Sequence, residues 1–473
     1  MGFTSYFFLF VFLPITSIIW IFVSRCKSAV VQNIYLILIS LFFYFWAGAD
    51  SLIVFISIIL AAYLFGHLIE AHRTEGTKYL AIAITLGVVF LLSSKYLFNT
   101  LTLIKANGTV WGKSLISLLI VPLGISFVTF EAISYYVDIY RGDAKAGSFL
   151  DAALFLTLYP KLISGPIVLW KDFSPQIRNH PVKAEEIHTG LRRIAMGYAK
   201  KVLLADSMGA MIASINSSMV TGIDTKTYWL RALLYMFQLY YDFSGYSDIA
   251  IGLLQLFGFT AKENFNYPYA SLSVTEFWRR WHISLGSWFR EYVYFPLGGS
   301  RKGNVYLNLF IVFLLTGIWH GSSWTYVLWG VLHGLMVIIE RCAMKTAWYK
   351  KTPWPIKWLI TMLFIGFTWV LFMSPDFPSA IATLRAMFFP HRNAGYNWSL
   401  AYFLTPKTIL LLVIGGLLSV LGRFEKLNMA IRRFSSDTFA GVLLTDLLCL
   451  GLMALSIVFV VNSSYSPFLY FQF

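Results

Sequence analysis

His320 stands in "TGIWHGSSW", between two tryptophans and two glycines, at the end of the apolar run "NVYLNLFIVFLLTGIW". At about 1.5 Å of rise per residue, that run carries the imidazole far from the basic turn before it. An ionisable side chain at membrane depth is costly and by default functional. Burial favours the neutral ring, the form a general base needs. Gly317 and Gly321 would admit another backbone or an extended substrate, and Ser322 and Ser323 would break the helix just beyond. The competing reading of His320 is a core histidine bridging two helices.

A second histidine lies in "SLSVTEFWRRWHISLGSWFREYVYFPLGGSRKG", residues 271 to 303. Ser273 followed by Glu276 is a capping-box pattern that predicts a helix start. Trp278, His282, Leu285 and Phe289 then fall on one face, with Arg279, Arg280, Ser287 and Arg290 largely off it. The pattern predicts an amphipathic helix at the membrane interface, on which His282 serves either chemistry or internal hydrogen bonding. The closing turn holds Arg301 and Lys302, a pair suited to lipid headgroups or to the phosphates of a donor. Trp278, Arg279, Arg290, Arg301, Lys302 and Trp319 are therefore candidate substrate-binding residues, together with Asp242, Ser244 and Asp248 of "YYDFSGYSD". These acids, like Glu131, have three open roles: orienting a histidine, binding a polar substrate, or pairing with a cation. His333 in "WGVLHGLM" reads as a packing partner. Neither a Walker A motif, nor Gly-x-Ser-x-Gly, nor metal-ligand spacing occurs, so no metal site is expected and the acceptor must come from elsewhere.

The elements that would hold these residues are membrane helices. Of 473 residues, 58% are hydrophobic and 12% charged, about half the charged fraction of a soluble domain. Apolar runs of spanning length recur from residue 3 to residue 462. Continuous runs such as "SLIVFISIILAAYLFG" predict helices, not a barrel. The first run lacks a basic n-region and a cleavage site, and so reads as a retained span. Candidate spans are 3–23, 29–48, 52–69, 79–97, 115–138, 203–219, 227–258, 305–320, 324–341, 356–374, 408–422 and 438–462. The three cysteines, Cys26, Cys342 and Cys449, form no disulfide framework.

The net charge of +15 sits in loops, where Lys and Arg set orientation and meet anionic lipid rather than nucleic acid. Residues 171–201 carry seven basic against three acidic residues, and 262–302 carry six against three; both belong on the cytoplasmic face. "FSGYSDIAIG" and "YPKLISGPIVLW" place Gly, Pro and charge inside apolar runs. Such breaks survive at membrane depth only when buried in protein or lining a cavity.

The ordered set "PLGISFVTFEAISYYVDIYR", "YPKLISGPIV", "KKVLLADSM", "YYDFSGYSDIAIG", "FNYPYASLSVTEFWRRWHISLGSWFREYVYFPLGGSRKG" and "TGIWHGSSWTYVLWGVLHG" resembles the bacterial membrane-bound O-acyltransferase (MBOAT) family. The resemblance is to the branch of the alginate O-acetyltransferase membrane component and the peptidoglycan O-acetyltransferase A subunit. It implies an all-α polytopic fold of about 11–12 transmembrane helices, with amphipathic and re-entrant helices around a central tunnel. The whole chain, 1–473, would be one integral membrane domain: N-terminal spans (1–118), a signature core (119–341) and C-terminal spans (342–473).

The implied activity is inner-membrane acyl transfer with no bound cofactor. Acetyl from cytoplasmic acetyl-CoA, or from another acyl thioester such as an acyl carrier, would pass through the tunnel. His320 and His282 match the family's catalytic pair. A periplasmic or extracellular SGNH-type partner would then esterify a polysaccharide. Two other classes compete: a transporter or flippase of polysaccharide or lipid-linked precursors, and a non-catalytic component of a secretion complex.

Overall fold

The computed structural model describes residues 1–97, 122–219, 222–389, 398–462 and 468–469. The chain folds into two compact units, one of residues 1–194 with 247–262 and the other of 195–246 with 263–473.

The first unit contains α1 (Phe8–Val23), α2 (Ala29–Phe45), α3 (Ala49–Ala71), α4 (Gly76–Leu92), α5 (Ile125–Arg141), α6 (Phe149–Thr157), α7 (Trp170–Ile177) and most of α8 (Ala184–Tyr198). The expected span 115–138 is described only from residue 122 onward, as α5. Helices α3, α4 and α5 pack together. Gly66 makes room for the Tyr135 ring, whose hydroxyl donates to the Ala146 carbonyl at 2.6 Å.

"YPKLISGPIVLW" is broken as expected: one turn, Tyr159–Leu162, gives way to non-helical chain up to Trp170, all of it buried. Lys161 Nζ donates to Glu131 and lies 4.7 Å from the Phe155 ring centre. A charge this deeply buried is tolerable only when paired in this way.

The second unit contains α9 (Ser207–Ser218), the first 22 residues of α10 (Thr225–Leu256), α11 (Val274–Arg280), α12 (Ile283–Phe289), α13 (Val305–His320), α14 (Trp324–Ala343), α15 (Trp354–Met373), α16 (Phe377–Phe388), α17 (Pro406–Val420), α18 (Glu425–Asp437) and α19 (Phe439–Asn462). Contrary to expectation, α10 runs unbroken through "FSGYSDIAIG". Its glycines serve close packing: a Cβ at Gly245 would meet the Gly197 carbonyl within the second unit, and one at Gly252 would meet the Gly190 carbonyl within the first. Helices α13 and α14 approach closely, because Gly317 and Gly330 face each other across the pair.

Six described helices are long and apolar enough to cross a membrane: Ala49–Ala71, Gly76–Tyr96, Trp324–Ala343, Trp354–Met373, Pro406–Arg423 and Phe439–Asn462. Phe8–Val23, Ala29–Phe45 and Val305–His320 are shorter apolar helices. Their outer faces carry exposed Leu, Ile, Val and Phe, as lipid contact requires. The chain is an all-α, multi-pass membrane protein.

Candidate active site

His320 is the last residue of α13 and is buried, at 5% exposure. The helix stops there: Gly321 is fully extended, and Ser323 caps α14 through the Thr325 amide. The imidazole is walled by aromatic rings, with centroids at 4.8 Å for Trp319, 5.2 Å for Trp329, 5.1 Å for Phe372 and 6.4 Å for Tyr326. A Cβ at Gly321 would strike the Tyr326 ring, and one at Gly317 would strike the Tyr326 carbonyl. Both glycines therefore admit α14 rather than a bare cavity. The result is a titratable ring held at a helix end inside an aromatic wall.

His282 is reached by a different device. The expected continuous amphipathic helix is broken: α11 ends at Arg280, His282 adopts a left-handed conformation (φ 45°), and α12 begins at Ile283. Trp278 and His282 consequently do not share a helix face. Asn264 holds the break in place. Its backbone carbonyl accepts from Ile283 N–H at 2.9 Å, and its side-chain oxygen accepts from Ser284 N–H at 3.2 Å and Ser284 Oγ at 2.9 Å. Since a backbone N–H can only donate, the amide atom facing it is the oxygen. His282 Nδ1, 3.1 Å from that same oxygen, must therefore carry the proton. The lone pair of neutral His282 lies on Nε2. Phe243 packs edge-on at 4.6 Å, and Trp319 lies 6.5 Å away. Trp319 thus stands beside both His282 and His320.

The start of α11 has two anchors. Ser273 Oγ accepts from Glu276 N–H at 2.9 Å, as expected, although the Glu276 carboxylate turns to the Leu272 amide instead of completing the box. Glu340 on α14 is the second anchor: its carboxylate accepts from Val274 N–H at 2.6 Å, from Thr275 N–H at 2.8 Å and from Thr275 Oγ1 at 2.8 Å. A carboxylate on a helix N-terminus satisfies orphan amides and the helix dipole together.

Trp278 belongs to another cluster. Its Nε1–H donates to His333 Nδ1 at 3.1 Å, and His333 Nε2 lies 3.0 Å from Thr368 Oγ1. The threonine hydroxyl spends its proton on the Ile365 carbonyl, so at His333 it accepts. Both ring nitrogens are thereby committed.

The remaining candidates are scattered. Arg279, Arg290, Arg301 and Lys302 are exposed; the last two sit on a turn built from Gly298, Gly299 and Gly303 at positive φ. Asp242 is buried and bonded to Lys201 Nζ at 2.7 Å and to the Leu469 amide at 2.9 Å, with Asp206 as the lysine's second carboxylate at 2.6 Å. Ser244 is buried on α10, and its hydroxyl has no hydrogen-bond partner among the described residues. Asp248 lies in the first unit, 2.9 Å from Arg193.

The structure thus brings His320, Trp319 and His282 together. It adds Asn264 and Glu340, which sequence reading passed over. The available signals were an Asn in "KENFNYPYA" and a lone acid in the apolar "MVIIERCAM".

Comparison with known proteins places these residues in context. Residues 126–377 match the model of the membrane-bound O-acyltransferase family, MBOAT. A protein of Pseudomonas putida named probable alginate O-acetylase is 36% identical over 100% of both chains. Its namesake in Pseudomonas aeruginosa is 38% identical over 82% of this chain and 75% of its own. The peptidoglycan O-acetyltransferase of Helicobacter pylori is 33% identical over 80% of this chain and 78% of its own.

Proposed function

The chain belongs to the membrane-bound O-acyltransferase family, and from that premise we propose that it O-acetylates an extracytoplasmic polysaccharide, with His320 as the general base. Family membership makes it an acyltransferase and sets aside the transporter and scaffold readings. The observation that carries the assignment of roles is the pairing of two buried histidines beside Trp319 in one unit. The names of the relatives, with alginate in one case and peptidoglycan in another, support a polysaccharide as the final acceptor.

In the proposed reaction, neutral His320 takes the proton from an acceptor hydroxyl as its oxygen attacks the thioester carbonyl. The new C–O bond forms, the C–S bond breaks, and the imidazolium returns its proton to the departing thiolate. Atoms and charge balance without a metal or a redox partner. His282, with its proton held on Nδ1 by Asn264, presents the Nε2 lone pair in a fixed direction, where it accepts a hydrogen bond from a donor group of the substrate.

Acetyl-CoA fits as donor. The exposed Arg301 and Lys302 on their glycine turn suit its phosphates, and equally an acidic acyl carrier. The positive-inside rule favours that turn and Lys183 in the cytoplasm and residues 222–227 outside. A donor on one side and an acceptor on the other call for a passage through the protein, and an SGNH-type partner outside would complete the transfer to polymer.

Replacing His320 by Ala in cells, with polymer acetyl esters and polymer export measured together, tests the proposal. Loss of ester with export intact is expected; retention of ester would reject it.

A further inference from the structure

A groove of about 650 Å³ runs between α10, α15 and α17 in the second unit. Its position on α10 extends from Lys226 to Phe237, about 16 Å at the helical rise. That length matches one leaflet, half of a hydrocarbon core about 30 Å thick. The groove opens at the surface, since Leu233 and Leu363 on its rim are 40% and 39% exposed. Its volume falls within the range of ligand sites, about 300–1,000 Å³.

The polar groups along it decide what it can hold. Trp229 Nε1–H donates to the Met387 carbonyl at 2.6 Å, and Trp358 Nε1–H donates to the Tyr269 carbonyl at 2.8 Å. Tyr269 donates its hydroxyl proton to the Met236 carbonyl at 2.7 Å, and Ser419 donates to Gly416 at 2.8 Å. Each of these side-chain donors is spent on backbone, so the groove offers an occupant only apolar contact. Lys226, at one end, is exposed and makes no hydrogen bond or ion pair among the described residues. The neighbouring Asp224 attracts it but makes no hydrogen bond to it: one carboxylate oxygen accepts from the Thr227 amide and hydroxyl, and the other from the Leu400 amide, so the ammonium keeps its donors for an anion.

An occupant must therefore be apolar for about one leaflet's length and anionic at one end. We propose that the groove binds one acyl chain of an anionic phospholipid, with its headgroup phosphate at Lys226. In the orientation proposed above, this lipid belongs to the outer leaflet. The floor of the groove includes Met236 and Tyr269, which share the aromatic core with Trp281 and Trp369. The lipid would brace α15, which carries Phe372 of the aromatic wall around His320.

The test uses the purified full-length chain in detergent with photoactivatable diazirine-chain phosphatidylglycerol or phosphatidylcholine, the adducts being mapped by mass spectrometry. Wild type should label at 226–237 and 358–367, with the anionic lipid favoured about fivefold, the effect of one lysine near a lipid phosphate. Lys226→Glu should abolish or reverse that preference yet keep chain labelling. Gly366→Leu, which pushes into the groove beside Met236 Sδ, should lose labelling of both lipids while labelling of α19 is unchanged. Competition of wild-type labelling by unlabelled phosphatidylglycerol gives the same information without a variant. Labelling of the groove no stronger than that of α19 and the other lipid-facing helices, no headgroup preference, or no competition would overturn the proposal.

Discussion

His282 and His333 are both buried neutral rings, and their surroundings fix opposite tautomers. At His333 an indole N–H donates to Nδ1, and Nε2–H is spent on Thr368. At His282 the acceptor Asn264 draws the proton to Nδ1 and leaves the lone pair on Nε2. A histidine whose donor and acceptor are both committed stabilises packing; at His282 the fixed tautomer makes Nε2 the ring's acceptor. At His320 the ring is walled by aromatic faces and the helix ends at it. Depth alone does not separate a catalytic histidine from a packing one, since all three rings are buried.

The largest effect separating these histidines is expected at His320. His320→Gln nearly keeps the volume but cannot accept a proton at neutral pH. Acetyl transfer should fall about 10²- to 10⁴-fold, the usual cost of losing a general base, with insertion and purification unchanged. Asn264→Leu comes next. It strands Ser284 N–H and frees the His282 ring, costing about 1–3 kcal/mol per stranded donor; thermal melting in detergent should drop and transfer per folded molecule should fall, though less than in His320→Gln.

His333→Phe strands the Trp278 indole and should lower the melting temperature by a similar mechanism, with transfer per folded molecule unchanged. His333→Gln, which can both accept from Trp278 and donate to Thr368, should restore the melting temperature. The smallest effect is expected at the exposed turn. Arg301→Glu with Lys302→Glu should raise donor KM at low ionic strength, converge with wild type as salt screens the charges, and leave kcat alone.

Much of this arrangement was legible in the chain. Apolar runs bounded by charge or glycine located helices such as Val305–His320 to the residue, because hydrophobicity and backbone satisfaction in lipid admit few alternatives. His320 stood out for the same reason. The break at His282 did not, since the apolar periodicity of Trp278, His282 and Leu285 continues across it; the left-handed turn is imposed by Asn264, 18 residues earlier. Glu340 caps α11 from 66 residues away, and no local pattern announces so distant a partner. Gly245 misled in the other direction, because a glycine in a helix signals either a break or close packing, and only the presence of Gly197 opposite decides.

The assignment stands or falls on whether His320, and not its buried neighbour His333, moves the proton. The decisive measurement is single-turnover transfer of labelled acetyl from a thioester by His320→Gln and His333→Gln, side by side in the same lipid and normalised to folded protein. His333→Gln is expected to transfer at the wild-type rate, and His320→Gln to be slower by about a hundredfold or more. Equal rates in the two variants would contradict the assignment of His320 as the base.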